Sequence, residues 1–290
     1  MRQQHTVCSF ADSNSWVILS PIEQSIKRKI EAVGVPLKDW DIQINYGIKT
    51  GFNDAFIIST ERRDEILANC QTEDERQRTA ELIRPILRGR DIKRYGYEWA
   101  NLWLINTHNG IRGKIPPVDI NDYPAIKQHL DHYWDKISKR DDRGVTPYNL
   151  RNCAYLDDFS KPKIMYPNMT KFLPFYYDKM GFFQNDKSFM ITGERIAFLT
   201  AFLNSSLFKF CFIDNFAELQ GGTRELRKIF FDKIAVYQPD AVIEQRFKQL
   251  VEDIQANYTK EKAIKIDEEL FDIYGLTEAE RCQIGFVDIT

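Results

Sequence analysis

Gly221 and Gly222 stand directly before Thr223 and Arg224, with Arg227 and Lys228 close behind. Glycine lets the backbone approach a ligand closely, Thr223 can cap a following helix, and free N–H groups at a helix start suit an anion. Arg224 adds a forked cation that matches phosphate oxygens. A tight turn carrying a solvated arginine is the plainer account of the same residues. A second concentration runs from 84 to 114: Arg84, Arg88, Arg90, Lys93, Arg94, Arg112 and Lys114, opposed by Asp91 and Glu98. Several of these fall in a loop with Gly89 and Gly96, where phosphate contact competes with an ordinary solvated face. In "YPNMTKFLPFYYDKMGFFQNDK" (166–187) core packing accounts for most aromatics. The tips Asn168, Lys171, Gln184, Asn185 and Lys187 have the donors and acceptors to read base edges.

Catalytic constellations are missing. His129 and His132 lie at i and i+3, whereas zinc hydrolases use i and i+4 with a glutamate between, so surface histidines on an amphipathic helix are the better account. No GxSxG, P-loop or GxGxxG occurs. "IPPVDI" (115–120) fails the Asn/Asp/Ser-Pro-Pro-aromatic pattern of amino-methyltransferases, because Ile115 and Val118 occupy its two diagnostic positions. We therefore expect no catalytic residue and no metal site. A net charge of −2 excludes a uniformly basic nucleic-acid binder but leaves room for a local basic groove. The five cysteines are scattered and form no CxxC, which fits reduced thiols and a cytoplasmic location. The apolar run 196–213 is interrupted by Asn204, Ser205, Ser206 and Lys209 and reads as a buried helix rather than a membrane span.

The elements that must position these groups alternate without a regular parallel rhythm, which predicts a mixed α+β fold. Ser20, Pro21, Glu23 and Gly34 delimit a helix of about three turns. "DIQINYG" and "AFIIS" read as the strands of a hairpin. A helix from "TEDERQRTAEL" ends or kinks at Pro85. "NLWLINT" is a buried strand, 123–140 a helix, and "PKIMYPNM", "LPFYYD" and "KSFMITG" three short strands. One long helix covers 194–213, and the glycine loop leads into a short helix and the strand "KIAVYQP". Beyond Pro239 the composition turns helix-forming, with Val242, Phe247, Leu250, Val251 and Ile254 expected on one apolar face. The opening residues read as mid-chain sequence, which points to a piece of a longer polypeptide.

Seven segments in order, "GIKTGFNDAFII", "LIRPILRGRDIKRY", "LWLINTHNG", "YPAIKQHL", "KPKIMYPNMT", "AFLTAFLNSSLFKF" and "GGTRELRK", together resemble the TaqI-like C-terminal specificity domain of adenine-specific DNA methyltransferases and type IIG restriction-modification enzymes. The resemblance implies an α/β target-recognition domain over 36–238, with a twisted mixed sheet and flanking helices. A linker and helix (1–35) precede it, and a helical extension (239–290), similar to the helix after the recognition domain in type I specificity subunits, follows. It implies double-stranded DNA as partner, and a methyltransferase domain of the parent polypeptide that holds S-adenosylmethionine; this chain itself is expected to bind no cofactor. The DNA-contacting residues it implies are Lys49 and Thr50; Arg88, Arg90, Lys93 and Arg94; Asn168, Lys171, Asn185 and Lys187; and Gly221, Gly222, Thr223, Arg224, Arg227 and Lys228. A protein-interaction module whose C-terminal helices pair with another subunit is the alternative, and a metal hydrolase around His129 and His132 a remote third.

With neither a cofactor loop nor a methyltransferase motif, the 290-residue chain should not bind S-adenosylmethionine. Titration calorimetry should give no heat of binding; a stoichiometric isotherm would contradict the assignment.

Overall fold

The computed structural model describes residues 19–286. His5, Cys8 and the opening segment lie outside them. The described residues form two compact units: one contains those up to Asp41, Ala197–Ala217 and those from Arg227 on, the other Ile42–Ile196 and Glu218–Leu226. The units interleave along the chain, so no single cut near 36 or 239 separates them. The mixed α+β class holds.

The first unit is mostly helical. Its opening helix, Pro21–Val33, starts with a reciprocal capping box between Ser20 and Glu23. The strand Gly34–Pro36 pairs antiparallel with Ala235–Tyr237. The long helix expected over 194–213 is two helices, Ile196–Leu203 and Ser206–Phe212, bent by 69°. The break has a polar cause. Ser205 caps the second helix by accepting from the Phe208 N–H, while buried Asp267 accepts from both the N–H and the hydroxyl of Ser206. No single helix among the described residues is long and apolar enough to cross a membrane. In the helix Ala241–Ala256, Phe247, Val251 and Ile254 are buried and Leu250 half-buried, but Val242 is 77% exposed. At about 100° per residue, Val242 falls about 140° away from Phe247, and half-buried Ile243 takes the inner position instead.

The second unit holds two four-stranded sheets. In the first, Tyr176–Asp178, Lys163–Pro167, Ser188–Gly193 and Ile42–Tyr46 are neighbours in that order, all antiparallel. In the second the order is Phe183–Gln184, Ile83–Leu87, Leu102–Ile105 and Ile57–Ser59, with only the first pair parallel. The hairpin expected across 41–59 therefore does not form: its strands pair with 188–193 and 102–105 in different sheets, and the linking residues make a short helix, Asn53–Phe56. Pro85 lies inside a strand rather than at a helix end. Pairing to 102–105 ends at Pro85 and pairing to 183–184 begins at Ile86, so the proline falls where one ladder gives way to the other. The 123–140 helix breaks at His132 and Tyr133 into Pro124–Asp131 and Trp134–Ile137. Ile86, Leu104, Ile126, Leu130 and Phe159 form the heart of the core.

One backbone contact shapes this unit. The Gly47 N–H donates to the Ser188 carbonyl at 3.0 Å and the Ile48 N–H to the Gln184 carbonyl at 2.7 Å. A Cβ on Gly47 would lie 2.2 Å from the Asn185 carbonyl oxygen and 2.4 Å from that of Gln184. Across the same segment, a Cβ on Gly89 would sit 2.8 Å from the Lys187 carbonyl oxygen.

Gly47→Ala should therefore cost about 1–3 kcal/mol, as forced overpacking does. Gly96→Ala, where a Cβ meets nothing within 4 Å, should stay within about 0.5 kcal/mol of the parent. Equal urea midpoints for the two variants would show that the 184–188 segment is not tightly held.

Candidate nucleic-acid interface

Three of the segments singled out by sequence meet at one end of the paired strands Ile83–Leu87 and Phe183–Gln184. Residues 88–90, 167–169, Asn185 and Lys187 line an open groove of about 420 Å³. The Asn185 N–H donates to the Leu87 carbonyl at 3.3 Å, and the Asn168 N–H to the Lys187 carbonyl at 2.9 Å. The Asn168 carbonyl in turn accepts from the Leu226 N–H at 2.8 Å. Backbone bonds thus fix all three tips.

Their side chains divide into held and free. Arg88 grips Asp91 with both arms of its fork, Nε to Oδ2 at 2.9 Å and Nη2 to Oδ1 at 2.8 Å, while its own N–H also donates to Oδ2. Asp91 is buried, and its hydrogen bonds raise the Arg88 pKa above its ordinary value. Arg88 therefore braces the turn. Arg90 is exposed and makes no ion pair among the described residues. Lys187 reaches into solvent, 3.7 Å from its neighbour Asp186. Neither side-chain amide of Asn168 or Asn185 has a partner among the described residues, and both Oδ1 atoms are buried. Gln184 is fully buried with its amide likewise unpartnered.

The other expected contacts scatter. Lys93 pairs with Glu98 at 3.2 Å, and the Arg94 guanidinium stacks over the Tyr95 ring. Lys49 lies 3.9 Å from Asp142. Thr50 is buried, its hydroxyl bonded to Asn53. Lys171 is exposed near Gly221. Gly221 and Gly222 both have positive φ and form a tight turn closed by a bond from the Leu219 N–H to the Thr223 carbonyl. No helix starts at Thr223, contrary to expectation. Arg224–Glu225 is a strand paired with Met169–Thr170, and the four-residue helix Lys228–Phe231 begins only after Arg227. Arg224 is mostly buried and 3.0 Å from Glu218. Arg227 and Lys228 are exposed and belong to the first unit.

Sequence reasoning missed Arg140. Its buried guanidinium donates to the carbonyls of Thr50, Asp142, Pro147 and Asn149 and lies over the Phe56 ring. Burial pulls its pKa down to about 10. It ties the Lys49–Thr50 segment to the 140–149 loop. In sequence it sits in the charged run "KRDDRG", indistinguishable from a solvated face.

The histidine pair is not a metal centre. His129 is buried, its Nδ1 accepting from Arg62 Nε at 3.0 Å while Nε2 faces the Ala55 carbonyl at 2.9 Å. Both ring nitrogens are occupied, and no group of metal-ligating side chains occurs among the described residues.

Known proteins resemble this chain over most of its length. The TaqI-like C-terminal specificity domain matches residues 84–236, more than half of the chain. A type II methyltransferase of Pseudomonas aeruginosa, M.PaeR7I, is 21% identical over 280 residues, covering 93% of this chain and 44% of its own length. Two solved structures share the fold. The type IIG restriction endonuclease BpuSI has a TM-score of 0.51 at 15% identity, over 88% of this chain and 34% of its own. The type IIL restriction-modification enzyme MmeI, solved in complex with DNA, has a TM-score of 0.57 at 12% identity, over 87% of this chain and 36% of its own. The chain thus spans less than half the length of each of these relatives.

Burial lowers the pKa of His129 and of His108 from the ordinary 6.5. The unfolded chain takes up protons on these rings as pH falls below about 6.5, while the folded chain resists. Stability should therefore be level above that pH and fall as the pH drops toward about 5. In thermal melts across this range, His129→Gln should flatten the decline. An unchanged slope would assign the titration to other groups.

Proposed function

The chain belongs to the TaqI-like C-terminal specificity domain family, and we propose that it is the DNA target-recognition part of a bacterial restriction-modification enzyme. In that enzyme a separate methyltransferase domain would hold S-adenosylmethionine and methylate an adenine flipped out of the duplex. The observation that carries this proposal is the groove at the strand ends, where unpartnered asparagine amides stand beside unpaired or weakly paired cations. The roles divide by chemistry. Arg90, Lys187 and Lys171 would act as phosphate contacts that set register. Asn168 and Asn185 carry amide NH2 groups that would donate to base-edge acceptors such as adenine N7 in the major groove, their Oδ1 atoms being buried. Arg88 acts through the shape of its turn. The glycine turn brings backbone close to the duplex, with Arg224 sharing its charge between Glu218 and a phosphate.

The alternative, a subunit-assembly module, is less favoured. It needs a free apolar face on the C-terminal helices, yet Phe247, Val251, Ile254, Ile266 and Leu270 are consumed within their own unit.

Arg90→Ala and Lys187→Ala should each weaken binding to all duplexes alike and lower the slope of log affinity against log salt by about 0.9. Asn185→Ala should keep the slope and lose about 1–3 kcal/mol of discrimination at one base position. Fluorescence anisotropy over a salt series measures both. Slopes unchanged in both charge variants would overturn the groove as the DNA contact.

A further inference from the structure

Next to the groove, the chain sends a large apolar side chain into solvent. Phe172 is 76% exposed, and Met169, three residues earlier on the groove wall, is 53% exposed. The local backbone dictates this. The Thr170 hydroxyl accepts from the Phe172 N–H at 3.0 Å, and Leu173 then adopts a left-handed conformation with φ 49°. Leu173 and Phe175 are pressed into the core, which turns Phe172 outward. The strand behind it is tied to the glycine loop through the Thr170–Arg224 pair. Phe172 makes no ring contact among the described residues, in a unit whose other aromatics are heavily stacked on one another. Its neighbours are cationic: Lys171 beside it has no ion pair among the described residues, and Arg90 and Lys187 line the adjoining groove.

We propose that Phe172 is a wedge that inserts between stacked base pairs of the duplex held by the groove, with Met169 packing beside it. This rests on the DNA-recognition reading above. An apolar tip beside Lys171 and next to a groove lined by Arg90 and Lys187 suits a polyanion with an apolar interior, and a base stack is that ligand; an apolar protein surface would leave those cations unmatched. Insertion partly unstacks one step and kinks the duplex, which brings more of it against the basic rim. Phe172 is four residues from Asn168, a reach of at most about 14 Å. The kink should therefore fall within about four base pairs of the bases read at Asn168, at about 3.4 Å per step.

The test compares two duplexes of about 20 base pairs with identical flanks, one fully paired and one with a central mismatch that is already partly unstacked. Binding is measured with the 290-residue chain. It should bind the mismatched duplex on the order of tenfold more tightly. Phe172→Ala should bind both about equally, and Phe172→Trp should keep the preference. Because Phe172 is so exposed, the variants should melt like the parent. A preference that survives Phe172→Ala, or none in the parent despite salt-sensitive binding, overturns the wedge while leaving DNA recognition standing. Self-association abolished by Phe172→Ala without any change in duplex preference makes Phe172 a protein contact and also overturns it. No salt-sensitive binding to either duplex removes the DNA reading itself, and the wedge with it.

Discussion

The second unit depends on one crowded backbone segment, 184–188, gripped from two sides where no side chain fits. Gly47 approaches the carbonyls of Gln184 and Asn185, and Gly89 approaches that of Lys187. The segment has to bend there because Phe183–Gln184 belongs to one four-stranded sheet and Ser188–Gly193 to the other, leaving only 185–187 to cross between them. The two glycines also deliver their neighbours. Arg88 and Arg90 flank Gly89, and Asn185 and Lys187 lie on the crossing itself. A site built on strand ends and backbone bonds keeps its geometry better than one on a free loop.

Charge on this surface is decided by pairing rather than by count. Of the seven basic residues between 84 and 114, Arg88 is spent on Asp91, Lys93 on Glu98 and Lys114 on Asp157. Arg84 lies over the Phe183 ring. Arg90 and Arg112 are exposed, without ion pairs among the described residues, and only Arg90 lines the groove. A chain with a net charge of −2 can still present a small cationic rim because its acids are placed as internal partners. The buried pair Lys163–Asp178, at 2.5 Å, belongs to the same pattern: Asp178 also accepts from the Met180 and Phe182 N–H groups and so fixes the turn between two strands.

What the sequence made legible was local. The helix start at Ser20 and the strands Lys163–Pro167, Tyr176–Asp178 and Ser188–Gly193 follow from neighbouring residues, and the order of seven short motifs carried the family. What it hid was long-range. Nothing near Ser206 announces that Asp267 will accept its N–H and hydroxyl and split a helix. Strand pairing across 42–46 and 57–59 is settled by partners elsewhere in the chain, so adjacency suggested a hairpin that does not exist. Thr223 had the composition of a helix cap, but the backbone pairs residue 224 with Thr170 instead. Of the implied DNA contacts, Arg88, Arg90, Asn168, Asn185 and Lys187 do converge on the groove, whereas Thr50 is buried against Asn53 and Arg140.

Lysine footprinting tests the central claim, that the strand-end groove is the face that meets DNA. The chain is acetylated briefly with and without duplex DNA at low salt, and the modified lysines are quantified by mass spectrometry. The account predicts that Lys187 and Lys171 become protected while exposed Lys265, in the other unit, reacts as before. Protection of Lys265 with Lys187 and Lys171 still reactive would contradict it.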